Sequence, residues 1–294
     1  MKKFIVPFLF SFALMGCEKD INFDLKQADD VVVVDANIEN GLPPAVVLSK
    51  SFNYFSVVNP AILSSLFIHD ADVYVSNGTL THKLKEQPFI VPHSGVAFYY
   101  YGIDSSDLAT AFTGELNTSY SLRIVTGGKE YTATTTIPGI AKKPDSLWWK
   151  KAPFQEDTTR IILMVKATDP PGLGNYVRYF TKKNSDPFYP GLNSVFDDQV
   201  IDGSTYELEV SPGVDRNFPG SADDNYFNRG DTITMKLCNI DRATYNFWNT
   251  WEFSQQSVGN PFVTPNKILG NISNGALGAF YGYGAFYKTL IVPK

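Results

Sequence analysis

Three histidines, His69, His82 and His93, and two acidic pairs, Asp197-Asp198 and Asp223-Asp224, are the side chains best suited to metal binding or acid–base work. A zinc centre recruits His and Cys at short, recurrent spacings. No two of these histidines have one, so scattered polar residues are expected. Asp223-Asp224 lies beside Asn225 in the stretch Ser211 to Gly230. Oxygen ligands in a loop can take calcium, but the EF-hand ligand order is absent, and a solvated loop is expected. A glycosidase needs two carboxylates placed across a sugar, which spacing does not reveal. The chain has no serine nucleophile elbow, Cys-His arrangement or HExxH. The expectation is therefore a non-enzyme without catalytic residues, metal or dissociable cofactor.

Cys17 offers a different chemistry. Lys2 and Lys3 precede the apolar run Phe4 to Leu14, and Leu14-Met15-Gly16-Cys17 closes it before Glu18-Lys19-Asp20. A basic start, a short apolar stretch and a small residue at the cut define an export signal. The run is too short to span a bilayer as a helix, which takes about 20 residues. The four-residue box resembles the lipobox of bacterial lipoproteins, which implies a covalent diacylglycerol and fatty acid on Cys17. Two or more acyl chains hold a protein stably on a membrane, at about 0.8 kcal/mol per buried methylene. Residues 1–16 are then the signal and 17–30 a tether. Cys238, in the alternating run Thr232 to Cys238, is left without a disulfide partner and is expected to be a small buried apolar side chain.

Composition removes nucleic acid from the partners. The chain has 25 basic and 30 acidic residues; losing Lys2 and Lys3 leaves 23 against 30, a net charge of −7. Nucleic-acid affinity comes mainly from phosphate contacts by basic clusters, and there are none. Charged residues make up 19% and aromatics 14%, which favours β-structure or contact surfaces.

The elements that must position these residues are strands. Val31 to Val34 and Ala45 to Leu48 flank a Gly-Pro break. Asp72 to Ser76 leads through Asn77-Gly78 into Thr79 to Leu84, and Tyr120 to Val125 through Gly127-Gly128 into Lys129 to Ile137. Both read as hairpins with positive-φ turns. Asp197 to Ile201, Asp202-Gly203 and Ser204 to Val210 suggest a third. Arg160 to Ala167 and Tyr176 to Thr181 are further strands. Such spacing predicts an all-β fold of two tandem immunoglobulin-like or transthyretin-like sandwiches: an N-terminal one at 31–137, a linker at 138–145 and a C-terminal one at 146–294. Asp241 can cap one short helix, 242–256, whose Ala243, Phe247, Trp248 and Trp251 cluster toward one side to pack on the sheet. The Gly- and aromatic-rich tail from Asn271 reads as a twisted final strand. Residues 184–194 and 211–230 are expected to be long loops, and Tyr189, Tyr226 and Phe227 are the candidate ligand or partner contacts within them.

The mature chain also resembles an uncharacterised domain family of Bacteroidota outer-membrane lipoproteins, often encoded beside TonB-dependent receptors. The resemblance is carried by Cys17 with Ile21-Asn22-Phe23-Asp24-Leu25, by Val32 to Ile38, Ala71 to Val75 and Gly114 to Ile124, by Gly230 to Thr234 with Asp241 and Tyr245 to Trp248, and by Asn260-Pro261-Phe262 with Asn271 to Gly278. It implies an outer-membrane location through the lipid anchor and a β-barrel protein as partner. Glu18-Lys19-Asp20 is similar to acidic-containing signals that send such lipoproteins to the cell surface. The expected function is an accessory binding or docking subunit of a TonB-dependent transporter or other outer-membrane barrel complex. The alternative is a glycan-binding or adhesive surface lipoprotein acting without a barrel.

Overall fold

The computed structural model describes residues 30–52, 60–90, 97–216, 225–260, 263–264 and 266–294. The expected signal, Cys17, all but the last residue of the tether, His93 and Asp223-Asp224 lie outside the described residues. The described chain is mainly β. Its first half holds β1 (Val32–Glu39), β2 (Ala45–Lys50), α1 (Pro60–Leu66), β3 (Asp72–Ser76), β4 (Thr81–Ile90), β5 (Ala97–Gly102), β6 (Thr118–Thr126) and β7 (Lys129–Ile137). The second half holds β8 (Pro144–Lys151), β9 (Arg160–Thr168), β10 (Tyr176–Lys183), β11 (Tyr189–Phe196), β12 (Thr205–Val210), β13 (Phe227–Asn228), β14 (Thr232–Ile240), α2 (Arg242–Ser257) and β15 (Leu277–Ile291). None of the described helices is long and apolar enough to cross a membrane.

Eleven strands form one sheet in the order β11-β10-β14-β15-β1-β2-β5-β4-β3-β6-β7. Every pairing in it is antiparallel except β1 with β15, which runs parallel from Val33–Leu277 to Glu39–Tyr283. The remainder of β15 pairs with β14, from Gly284–Asn239 to Ile291–Thr232. A smaller sheet has β12 and β13 on one edge of β9 and β8 on the other. The expected pair of tandem sandwiches is thus corrected. The parallel pair makes strands from both halves into one sheet. Parallel neighbours share no turn, so nothing local in the sequence announces them.

Alternation explains the core. Tyr120, Leu122 and Ile124 of β6 and Tyr131, Ala133 and Ile137 of β7 point inward, while Ser119, Ser121 and Arg123 face water. They join Val34, Ala36 and Ile38 of β1 and, from far along the chain, Phe280. A second cluster gathers Ile161, Leu163 and Val165 with Ile233, Met235, Leu237 and Phe227. A third lies under α2.

The Gly127-Gly128 hairpin forms as expected: Thr126 pairs with Lys129, and both glycines have positive φ, +56° and +71°. The Asn77-Gly78 hairpin forms with a longer loop, since Ser76 pairs with Thr81. Gly78 has positive φ there and Asn77 does not; the Asn77 carboxamide instead accepts from the N–H groups of Thr79 and Leu80. The third expected hairpin does not form. Residues 197–204 are a loop, and β12 pairs with β9. The stretch 184–194, expected to be irregular, contains most of β11. Helix α1, absent from the sequence reading, opens at Pro60, a residue pre-set for the first helical position.

Both outer edges of the large sheet are covered. Along β7, Ser273 N–H donates to Thr132 O and the Asn271 and Asn274 side chains donate to Thr134 O and Glu130 O. Along β11, Val214 N–H donates to Pro190 O and Arg216 to Gly191 O and Leu192 O. Covered edges do not offer themselves to other strands.

Candidate functional site

Two constellations bring chemically capable side chains together. In the first, one carboxylate oxygen each of Asp169, Asp198 and Asp202 lies within 4.8 Å of the others. Asp169 follows β9, and the other two come from the loop 197–204. Three hard oxygen ligands at this separation resemble the donor set of a divalent-cation site, but each is already engaged. Asp198 accepts from Gly174 N–H at 2.8 Å, from Asn175 N–H at 2.8 Å and from the Asn175 side chain at 3.2 Å. Asp202 accepts from Gly172 N–H at 2.6 Å. Asp169 pairs with the ammonium of Lys142, and both side chains are 0% exposed. Burial raises the Asp198 pKa, but the N–H donors of Asn175 and Gly174 more than offset it and hold the carboxyl below its usual range. The cluster therefore pins loop 172–175 to loop 197–204 around an internal cation. Lys142 is itself fixed by Asn239, whose side chain accepts from Lys142 N–H and donates to Lys142 O, both at 2.8 Å.

The second lies between α2 and the large sheet. Asp241 caps α2 by accepting from Thr244 N–H at 2.7 Å and also accepts from Thr136 N–H of β7 at 3.1 Å. The helix is held down by Phe247, Trp248 and Trp251, with Trp248 5.3 Å from the Tyr281 ring. Ala243, expected beside them, is exposed, whereas the three aromatic residues take the packing role the sequence predicts for that face. Beneath it, Arg178 is buried, its guanidinium 3.4 Å from the Trp248 centroid. It donates to Tyr283 OH at 2.6 Å and to Ser194 Oγ at 3.0 Å. Glu252 of α2 receives the Ser194 hydroxyl and N–H, and Arg216 reaches it at 3.4 Å. Nearby, Tyr281 donates to Asp35. Lys236 pairs with Glu39 amid the rings of Phe180, Phe188, Tyr283 and Tyr287, each within 6 Å. These charges satisfy one another.

The residues singled out from sequence are dispersed. Tyr189 is half-buried on β11. Tyr226 is half-buried too, accepts from the Gln155 side chain at 3.1 Å and carries Arg160 over its ring. Phe227 is 1% exposed and packs in the second cluster. His82 is buried, its Nδ1 2.9 Å from Thr110 Oγ1 and its Nε2 accepting from Asp104 N–H at 3.3 Å. His69 pairs with Glu86. Cys238 is fully buried, and burial pushes its thiol up to about 12, as an inert core cysteine requires. Sequence reasoning missed Asp169, Lys142, Arg178 and Glu252. A charge inside a strand was the available signal for Arg178 and a charge on an aromatic helix for Glu252, while Asp169 and Lys142 lie outside the strands and carry none.

Residues 18–289 match the family model described as a domain of unknown function, DUF4249. The chain belongs to the DUF4249 family. A search of curated proteins finds no match to it. The DUF4249 match covers both constellations and opens one residue after Cys17.

Proposed function

We propose that this DUF4249 protein is a lipid-anchored outer-membrane lipoprotein, displayed at the cell surface. There it serves as a non-enzymatic accessory binding or docking subunit of a TonB-dependent transporter or another β-barrel complex. The observation that carries the reading is the abutment at Cys17: the basic start and apolar run end there, and the family domain opens at the next residue. A signal of that length, closed by an acylated cysteine, anchors without spanning. The paired charges beneath α2 and the buried Lys142–Asp169 pair suit a rigid scaffold better than a reacting centre. Tyr189 and Tyr226 are the contact residues offered to a partner, with Phe227 supporting Tyr226 from the core.

Crosslinking and affinity purification from native membranes test the function, with intact mass of the mature chain testing the anchor. The expected result is co-recovery of a barrel protein and a diacylated or triacylated N-terminal Cys17. Recovery of the chain alone under several crosslinking conditions would overturn the docking role.

A further inference from the structure

We propose that the apolar tip formed by β4 and β5 rests in the headgroup region of the bilayer that carries the anchor. The inference builds on the anchoring of Cys17 proposed above and adds which face of the protein meets lipid. The chain enters the fold at one end of the large sheet. Val31 N–H donates to Ser51 Oγ at 3.0 Å, Ser51 N–H donates to Val31 O at 2.8 Å, and Val32 pairs with Lys50. Strand β5 runs antiparallel to β2 through Val46–Tyr101, so Ala97 lies at this same end, with Ile90 paired to it. Four large apolar side chains are exposed here: Phe52 (44%), Phe89 (55%), Ile90 (66%) and Phe98 (40%). Phe89 and Phe98 are direct cross-strand partners and share a face. Phe98 is braced at 5.5 Å by the Phe67 ring. Clustered apolar exposure of this kind marks a contact surface.

The order of side chains along the strands identifies the occupant. Pro88, Phe89 and Ile90 with Ala97 and Phe98 carry no charge. Tyr99 and Tyr100 come next, the latter donating to Gln87 at 3.0 Å. Glu86, Lys85 and Lys83 follow toward the body of the sheet. Apolar tip, hydroxylated aromatics, then charge is the profile of a segment seated at a membrane–water interface. The three uncharged residues Pro88 to Ile90 span about 10 Å at about 3.4 Å each, comparable with the roughly 5–10 Å to which interfacial elements sink. Thirteen Cα–Cα steps separate Cys17 from Asp30. At no more than about 3.6 Å each they confine the point of entry to within about 50 Å of the bilayer. The apolar tip lies at that point of entry.

The test uses the full chain, processed in a Gram-negative host and reconstituted in phosphatidylethanolamine–phosphatidylglycerol vesicles. Phe89→Cys and Ile291→Cys each carry an environment-sensitive fluorophore; lipid occupies the Cys17 thiol and Cys238 is buried. Ile291 is exposed at the far end of β15, about 46 Å from Leu277 at 3.3 Å per residue. The label at 89 is expected to shift to the blue and lose most of its emission to brominated acyl chains, while the label at 291 keeps its own. Phe52→Cys repeats the reading without altering the hairpin. A lipidated chain that floats with vesicles but leaves residue 89 as bright as 291 overturns the apposition and leaves the anchor standing. A chain with no lipid on Cys17 by intact mass, which does not float, overturns both. Quenching at 89 that ignores brominated lipid and grows with protein concentration assigns the tip to a second copy, and also overturns it.

Discussion

Arg178 lies against the face of Trp248 and reaches, through Ser194, the carboxylate of Glu252 one helical turn further along α2. A charge from β10 and a charge from the helix thus meet across a hydroxyl that belongs to β11. Glu252→Ala leaves the Ser194 hydroxyl and N–H without their acceptor and the Arg216 guanidinium without its carboxylate, beside the buried Arg178 charge. Removing one partner of a buried ionic network costs about 3 kcal/mol or more. The expected result is a lowered denaturation midpoint with loss of near-UV aromatic signal, and a smaller drop for Glu252→Gln. An unchanged midpoint in Glu252→Ala would show that the helix is held by its aromatic face alone.

Lys142 and Asp169 form the most buried ion pair among the described residues. Lys142→Met or Asp169→Leu alone strands a charge in the interior and should cost about 3–5 kcal/mol. The double variant should recover most of that loss. A double-mutant cycle by urea unfolding measures it, and purely additive losses would refute the coupling. Because Lys142 holds Asp169 and backbone N–H groups hold Asp198 and Asp202, adding calcium or a chelator is expected to leave the wild-type midpoint in place.

Acid should loosen the loops joined by Asp198. Its folded pKa is depressed, so its contribution is present above the unfolded value of about 3.9 and is lost as pH falls through the folded one. Stability measured by denaturant from pH 7 downward is expected to fall below about pH 4, and Asp198→Asn should flatten part of that fall. Identical acid slopes in the two proteins would remove Asp198 from the account.

Asp35 has the opposite sign. Part of its side chain meets solvent, yet the protein packed around it pushes its pKa up, against the Tyr281 hydrogen bond and the Arg178 charge. A raised folded pKa means that stability declines as pH rises past the unfolded value. Asp35→Asn, which keeps an acceptor for Tyr281, is expected to be more stable than wild type at pH 7. The difference should close below about pH 4. A difference that persists there would point to packing instead.

Backbone proximity sets a sharper test. A Cβ on Gly278, at φ +93°, would stand 1.9 Å from Val34 O. One on Gly41, at φ +79°, would meet nothing within 4 Å. Gly41→Ala should cost only the conformational strain, about 1–2 kcal/mol, whereas Gly278→Ala should prevent the β1–β15 pairing and yield little folded protein. Thermal melts that place the two variants together would contradict the parallel register.

What could be read in advance follows from range. The Gly127-Gly128 turn and the Asp241-capped helix are local events, with the residues that demand them adjacent in the chain, and both formed as read. Asp202-Gly203 carries the same turn signal, and Gly203 does take positive φ. There the Asp198 carboxylate draws backbone N–H groups from 172–175, and the flanking residues never pair. The three-aspartate cluster brings Asp198 to Asp169 from 29 positions away and the helix network brings Glu252 toward Arg178 from 74, and these members look like ordinary surface charges until the loops and helix arrive. The parallel neighbour of β1 lies more than 240 residues away.

That last separation orders events in time. Val34, Ala36 and Ile38 sit in a cluster that Phe280 completes, and the β1 edge toward β15 has no other partner in the sheet. A chain still emerging, from a ribosome or through a translocation pore, cannot close its N-terminal half until the residues from Leu277 to Tyr283 have appeared. A premature stop before Leu277 would therefore leave β1 with a bare edge, so β15, made long after it, acts as the latch on that strand.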